Sequence, residues 1–218
     1  QAAVRKLTGR NALVVGPGLK TGLNILLENP AQMGASLVVA DVAALREHKP
    51  PMIVIDMGTA TTISVVDKDK TFIGGIIMPG LRISSEALAG RASQLPQISL
   101  DPPKKAIGRN TIDCMRSGIV LGCAATIDGI VEKIEQELGY SCTVVSTGGH
   151  ANIVIPYCKR QIIVDENRGI RNTYKLIYLH IGQQLIQINS SSLQSLLLLH
   201  ILSAIGIEIH LSLLIIQT

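Results

Sequence analysis

The stretch Ile53-Val54-Ile55-Asp56-Met57-Gly58-Thr59-Ala60-Thr61-Thr62 decides how this sequence folds. Its apolar first half predicts a buried strand that carries Asp56 to its end. The glycine that follows allows a tight turn, in which backbone N–H groups and hydroxyls can face a phosphate group. A carboxylate at this point could hold a cation that neutralises phosphoryl oxygens. The spacing alone leaves open a plain hairpin, in which Asp56 and the hydroxyls bond their own backbone.

The segments on either side alternate between strand and helix periods. We expect strands at 12–15, 52–56, 62–66, 71–77, 143–146 and 161–164, and helices at 31–47, 81–92 and 111–138. Asn29-Pro30 is expected to begin the first helix and Asn110 to cap the third. The polar turn 67–70 predicts a hairpin between the second and third strands of the central meander. This order is typical of an α/β domain of the ribonuclease-H-like kind.

The composition excludes several classes of protein. With 218 residues, of which 47% are hydrophobic and 17% charged, the chain is too apolar to be disordered. Aromatic residues make up 2%, too few for a platform that stacks single-stranded nucleic acid. The net charge of +4 is scattered along the chain, so no nucleic-acid partner is expected. The cysteines form no C-x-x-C pair, which predicts buried free thiols in a reducing compartment.

Several short motifs, many of them rich in glycine, follow one another in a distinctive order. They are Gly16-Pro17-Gly18-Leu19-Lys20-Thr21-Gly22-Leu23, Asn29-Pro30, Gly34-Ala35, Asp56 to Thr62, Gly74-Gly75, Pro79-Gly80, Gly108-Arg109-Asn110-Thr111 and Thr147-Gly148-Gly149. Each motif is weak by itself, and Thr147-Gly148-Gly149 alone would be read as a simple turn. The ordered set, over residues 5–166, resembles the type III pantothenate kinases, a family within the acetate and sugar kinase, heat-shock 70 and actin superfamily.

The resemblance implies an activity, cofactors and partners. These are ATP-dependent phosphorylation of pantothenate to 4'-phosphopantothenate, the first step of coenzyme A biosynthesis, in a cytoplasmic homodimer. The enzyme would need Mg²⁺ and a monovalent cation, potassium or ammonium, with no nucleic acid or membrane as partner. The implied fold is an actin-like ATPase domain, a mixed sheet with flanking helices, whose N-terminal companion domain is largely missing here.

The resemblance also implies roles for particular residues, position by position. Asp56 matches the ligand of the monovalent cation. Contacts to ATP are implied for Gly58, Thr59, Thr61, Gly148 and Gly149. Contacts to pantothenate are implied for Leu27, Gly34, Ala35, Leu37 and Thr111, and Ser36 occupies the position of the catalytic base.

Three positions depart from the family pattern. Ser36 and Leu37 stand where an Asp base and an Arg suited to the substrate carboxylate are expected, and Leu27 replaces a Tyr. A serine without a partner is a poor proton acceptor near neutral pH, and a leucine cannot pair with a carboxylate. Asp41 is five residues beyond Ser36, about 140° further round the helix, and is a poor substitute base.

These departures leave alternatives open. The chain could be a non-catalytic member of the family that acts as a regulator or accessory factor. It could also be a relative whose more apolar pocket takes a less acidic substrate.

The charge distribution divides the chain. Of its charged residues, 35 lie up to Lys175 and a single one, Glu208, lies beyond it. We expect residues 1–50 to form the end of a first actin-like domain and a bridging helix, 51–167 a second ribonuclease-H-like domain, and 168–218 an atypical apolar tail. Glu208, His200 and His210 disfavour a membrane span in this tail. A buried helical appendage or a non-native stretch, such as translation out of frame, stays open, and we favour the latter.

Overall fold

The computed structural model describes residues 5–6, 12–14, 21–30, 33–165 and 214–216. The strands are β1 (Ala12–Val14), β2 (Asn24–Ile25), β3 (Met52–Met57), β4 (Ala60–Val66), β5 (Thr71–Pro79), β6 (Thr143–Thr147), β7 (Ile163–Val164) and β8 (Leu214–Ile216). The helices are α1 (Ala35–Glu47), α2 (Leu81–Arg91), α3 (Thr111–Leu138) and the short α4 (Ala151–Val154), which continues into a 3₁₀ turn at Ile155–Tyr157.

Most of the strands form one mixed sheet of six strands in the order β2-β5-β4-β3-β6-β7. The neighbours β3, β4 and β5 run antiparallel, whereas β6 runs parallel to β3 and β7 parallel to β6. The predicted meander and the mixed sheet with flanking helices are therefore confirmed. Separately, β1 pairs antiparallel with β8.

Helices cover both faces of this sheet. Successive side chains of β3 point to opposite faces and so belong to two different cores. Ile53, Ile55 and Met57 are buried in the core that α3 closes. The intervening Met52 and Val54 lie in a second core with residues of α1. A strand covered on both faces is expected to be continuously apolar, which is the pattern that β3 has.

Helix α3 is the longest element of the described chain. It is long and apolar enough to cross a membrane by length and composition alone, and 39% of its most apolar window is buried. Its residues Val120, Ala124 and Ile127 belong to the core beneath the sheet. The burial is what the central helix of a folded domain requires, so the apolar composition of α3 has a structural explanation.

The first helix begins later than the sequence predicts. Asn29-Pro30 starts a separate turn, in which the Met33 N–H donates to the Pro30 carbonyl at 3.2 Å. Helix α1 then begins at Ala35, and its N-cap Gly34 is extended and makes no side-chain capping bond. The predicted helix start at 31 is therefore wrong, because a proline favours a turn as readily as the first position of a helix.

Other boundaries differ by one or two residues. Strands β3, β4 and β5 extend further than predicted, to Met57, from Ala60 and to Pro79, and β7 begins at Ile163 instead of 161. The predicted bounds of α3 and its cap are confirmed, since Asn110 Oδ1 accepts from the Asp113 N–H at 2.9 Å.

The sequence predicts that the cysteines are buried free thiols. All four cysteines are free, but only Cys142 is buried, whereas Cys123 and Cys158 are half-buried and Cys114 is exposed. The expectation of burial is therefore confirmed for Cys142 and wrong for Cys114. Burial raises the pKa of Cys158 to about 12 and that of Cys123 to about 11.

Of the predicted tail 168–218, the structure describes Leu214–Ile216 as strand. The rest of that expectation lies outside the described residues.

Candidate active site

Two glycine-containing turns meet at one end of the sheet. Strands β3 and β6 are parallel, with Asp56 opposite Thr147, so the turns that follow them leave from the same edge. Gly148 has a φ of +99°, and a Cβ placed on it would lie 2.6 Å from the backbone of Met57. The His150 N–H donates to the Met57 carbonyl at 3.4 Å. The two predicted phosphate turns are therefore in direct contact.

The turn after β3 is closed by its own backbone. The Gly58 N–H donates to the Ala60 carbonyl at 3.1 Å. Gly80 lies so close to the carbonyl of Thr59 that a side chain at Gly80 would collide with it. The Thr59 side chain is exposed and free to meet a ligand.

Thr61 occupies a different environment from Thr59, although both are predicted ATP contacts. Its side chain is fully buried, and its Oγ1 has no hydrogen-bond partner among the described residues. The paired residue on β3 is Met57, which belongs to the core under α3. Thr61 therefore supports the turn from inside the protein, and its side chain does not face a surface ligand.

Asp56 and Asp41 lie near each other on the face of the sheet that α1 covers. Burial raises the pKa of half-buried Asp56. Asp41 is completely buried, and neither carboxyl oxygen has a hydrogen-bond partner among the described residues. Burial raises the pKa of Asp41 well above its usual range, and the charge of Asp56 adds to the effect. The Ser64 hydroxyl lowers the pKa of Asp41, although it does not reach hydrogen-bonding geometry.

Of these two carboxyl groups, the half-buried Asp56 is the one that could hold a cation. A cation beside Asp56 would offset the negative charge that burial disfavours. Within the part of the chain that the structure describes, no group of three or more His, Cys, Asp or Glu side chains could hold a metal ion. Mg²⁺ commonly keeps several waters and phosphate oxygens as ligands, so it would need little from the protein.

A cavity of about 350 Å³ lies beside Asp56. Its floor includes Thr62, Ser64 and Gly75, of which Thr62 pairs with Asp56 across β3 and β4. Gly75 lies against the carbonyl of Ile63, so a side chain there would collide with the backbone. The cavity is within the size range of small-molecule sites.

The wall of the cavity contains residues that the resemblance implies for substrate binding. Leu27 and Leu37 both line it, together with Glu28, Asn29 and Met33. The structure thus brings Leu27 and Leu37 together. Sequence reasoning missed Glu28 and Ser64, and the only signal for Glu28 was its position next to Leu27.

The remaining predicted site residues lie at different distances from this cavity. Gly34, Ala35 and Ser36 form the start of α1 directly before Leu37, and Ser36 is exposed. Asp41 is buried, which agrees with its rejection as a substitute for Ser36. Thr111 is exposed at the start of α3, on the opposite face of the sheet, and does not line the cavity.

The fold and these turns define an α/β domain with a mixed sheet and helices on both faces. A search of solved structures finds the same fold in a protein described as a conserved Baf family transcriptional activator from Campylobacter jejuni. The match has a TM-score of 0.50 and 20% identity, over 75% of this chain and 72% of that one.

Sequence comparison identifies the family. The family described as Type III pantothenate kinase matches residues 1–133. The type III pantothenate kinase of Brevibacillus brevis is 43% identical over 173 residues, which is 78% of this chain and 68% of that protein. The type III pantothenate kinase of Bacillus cytotoxicus is 41% identical over 164 residues, covering 75% of this chain and 63% of that protein. The chain belongs to the type III pantothenate kinase family.

Proposed function

We propose that this chain carries the phosphate turns and the substrate cavity of an enzyme that transfers the γ-phosphoryl group of ATP to pantothenate. The product is 4'-phosphopantothenate, the first intermediate of coenzyme A biosynthesis. The observation that carries the proposal is the adjacency of three features: the contact between the turns at Gly58 and Gly148, the half-buried Asp56, and the cavity next to it. Phosphoryl transfer depends on this kind of positioning and charge neutralisation.

The proposed roles follow from the accessible groups. The exposed Thr59 hydroxyl and the backbone of Gly58, Gly148 and Gly149 would contact ATP. Asp56 would hold potassium or ammonium, and Mg²⁺ would arrive with the ATP phosphates. Pantothenate would bind in the cavity between Leu27 and Leu37, beside Gly34 and Ala35.

The residue at the position of the catalytic base, Ser36, lowers the rate that we expect for this reaction. Ser36 is exposed and carries a hydroxyl where the family has a carboxylate, and buried Asp41 cannot reach a substrate from the core. We therefore expect slow phosphoryl transfer, or none, from this sequence. This feature also favours the second candidate, a family member that binds ligands and acts as a regulator without turnover.

The experiment that tests the function has a binding arm and an activity arm. A non-hydrolysable ATP analogue should bind the chain. Thr59→Val should weaken this binding, whereas Ser141→Ala, which removes an exposed hydroxyl after α3, should not. Absence of nucleotide binding would overturn the proposal. In the full-length gene product, Ser36→Asp with Leu37→Arg should give pantothenate-dependent ADP formation. No gain of activity would favour the regulator.

We also propose that the enzyme is a homodimer in the cytoplasm. A groove of about 990 Å³ between β5, α2 and α3 is lined mainly by apolar residues, among them Leu88 and Ile77. Ile77 is 76% exposed and Leu88 42% exposed. Because Thr111 and the cavity lie on opposite faces of the sheet, Thr111 could contact pantothenate only from a second copy. The free thiols are compatible with a reducing compartment.

A further inference from the structure

We infer that the carboxylate of Glu28 acts as the general base of this site, orienting the attacking hydroxyl of pantothenate and accepting its proton. The inference rests on the proposed function, because it takes the cavity beside Asp56 as the substrate site. It gives the role of the missing base at position 36 to a residue of another segment, in the wall of the same cavity.

The reaction needs a proton acceptor close to the substrate alcohol. The hydroxyl oxygen attacks the γ-phosphorus of ATP, and the bond from that phosphorus to the β,γ-bridging oxygen breaks, so that ADP leaves with the electron pair. A carboxylate within hydrogen-bonding reach orients the hydroxyl for attack and takes its proton. The Ser36 hydroxyl is a poor acceptor without a partner, whereas an exposed carboxylate is ionised near neutral pH and can accept the proton.

Few carboxyl groups of this chain could take this role. The sequence before Asp56 contains three of them, Glu28, Asp41 and Glu47. Asp41 is completely buried. Glu47 is the last residue of α1, about 15 Å along the helix axis from Leu37 in the cavity wall. Glu28 is exposed, and among the described residues it is the one carboxylate that lines the cavity.

The backbone on both sides of Glu28 is held by hydrogen bonds. Before it, the Leu26 N–H donates to the Phe72 carbonyl at 2.8 Å, which continues the parallel pairing of β2 with β5. After it, the Met33 N–H donates to the Pro30 carbonyl and closes a turn. The segment that carries Glu28 is therefore fixed against the sheet, which is a condition for positioning a reactive group.

The cavity connects Glu28 with the turn that is proposed to bind ATP. Another part of its lining is β4, through Thr62 and Ser64. Strand β4 begins at Ala60, directly after Thr59 of that turn. A substrate that fills the cavity would contact Glu28 at one wall and approach the proposed position of the γ-phosphate along β4.

The test measures turnover and binding in the full-length gene product. Formation of 4'-phosphopantothenate is followed by mass spectrometry, and binding of pantothenate by calorimetry with the ATP analogue present. We expect slow turnover by the unchanged protein, and Glu28→Gln should lower its kcat by at least about 100-fold. The affinity for pantothenate should stay within about threefold, because a base acts in the transition state. Glu28→Asp keeps a carboxylate and should retain more activity than Glu28→Gln.

Two comparisons distinguish a base from a structural residue. Ser36→Asp with Leu37→Arg supplies a carboxylate at position 36, so adding Glu28→Gln to this variant should lower kcat by less than about threefold. Glu137→Gln removes an exposed carboxylate near the end of α3, outside the cavity, and should leave kcat and binding unchanged. Because Glu28 is exposed, its variants should unfold at the same temperature as the unchanged protein.

The possible outcomes separate this inference from the proposed function. Unchanged turnover in Glu28→Gln, or an equal loss with and without the carboxylate at position 36, would overturn the inference and leave the proposed function standing. Absence of turnover in an unchanged protein that binds both ligands would also overturn it and favour the regulator. Binding of neither ligand would overturn both.

Discussion

Asp41 is a carboxyl group placed where proteins seldom tolerate a charge. It is completely buried on α1, and no hydrogen bond from a described residue compensates it. Because the pKa of Asp41 is raised in the folded protein, the folded chain binds this proton more tightly than the unfolded chain does. The stability that Asp41 contributes is present below its ordinary pKa of 3.8 and is lost as the pH rises through the folded-state pKa.

Replacing Asp41 with Asn tests this directly. The amide has nearly the same shape and carries no charge at any pH, so the variant should be more stable than the unchanged chain at pH 8, by about 1 kcal/mol or more. The gain should shrink towards pH 4.5. Urea unfolding at both values provides the measurement, with Glu137→Gln on the exposed side of α3 as the control. A gain that is equal at both pH values would show that charge is not its cause.

Gly148 and Gly149 are neighbours with different requirements. Gly148 has a positive φ and contacts the backbone of Met57, whereas a Cβ on Gly149 would meet nothing within 4 Å. Gly148→Ala should therefore lower the free energy of unfolding by about 2 kcal/mol and weaken binding of the ATP analogue. Gly149→Ala should change stability by less than about 0.5 kcal/mol. Similar losses in thermal unfolding for both variants would contradict the contact between the two turns.

At the scale of elements, α3 organises the second half of the domain through polar contacts along its length. Arg116 Nη2 donates to Asp101 Oδ2 at 2.8 Å and to Ser99 Oγ at 2.6 Å, which fixes the loop before the helix. Further along, the Asp128 carboxylate accepts from the backbone N–H of Lys159 at 2.8 Å. The helix thus holds the loop before it and the segment that follows the 3₁₀ turn.

The cap at the start of α3 gives a prediction at this scale. Asn110→Ala removes the side chain that accepts from the Asp113 N–H and should cost about 1 kcal/mol of stability. Asn110→Ser retains a capping oxygen and should cost only a few tenths of that amount. The free energy of unfolding of the two variants, measured by chemical denaturation, separates loss of the cap from loss of the amide group, because Ser lacks the amide and keeps a capping oxygen. Equal destabilisation by Ala and Ser would argue against the cap.

The sequence predicts those elements whose signals are local. The helical periodicity of α3 and its Asn110 cap predict both ends of that helix correctly. The polar turn 67–70 correctly predicts the hairpin between β4 and β5. The start of α1 fails, because Gly34 caps through its backbone conformation and leaves no side-chain signal. The two-residue strand β2 is missed, because it exists only through its pairing with β5.

In the candidate site, too, the sequence predicts features with a local signal and misses those that depend on the folded chain. The places of Asp56 and of the turns at Gly58 and Gly148 are predicted correctly, since each lies at or just after the end of an apolar strand. Their roles towards ATP and a cation stay predictions. Glu28 is not found, because only the folded chain brings it across from Ser64 and Gly75.

At the scale of the whole molecule, the apolar groove between β5, α2 and α3 is the surface at which we expect two copies of the chain to meet in the proposed dimer. Leu88→Glu places a charge in this groove and should convert the proposed dimer to a monomer in light scattering. Leu26→Glu changes an exposed leucine outside the groove and should leave the mass unchanged. A monomeric unchanged chain, or a Leu88→Glu dimer, would contradict the proposed interface.

The contact between Gly148 and Met57 has a mechanical consequence for the whole domain. The backbone of Gly148 lies so close to that of Met57 that not even a Cβ fits between them, so the turn after β6 cannot move towards β3 without displacing the end of that strand. We therefore expect any closing movement over a nucleotide to carry the two turns together as a single body.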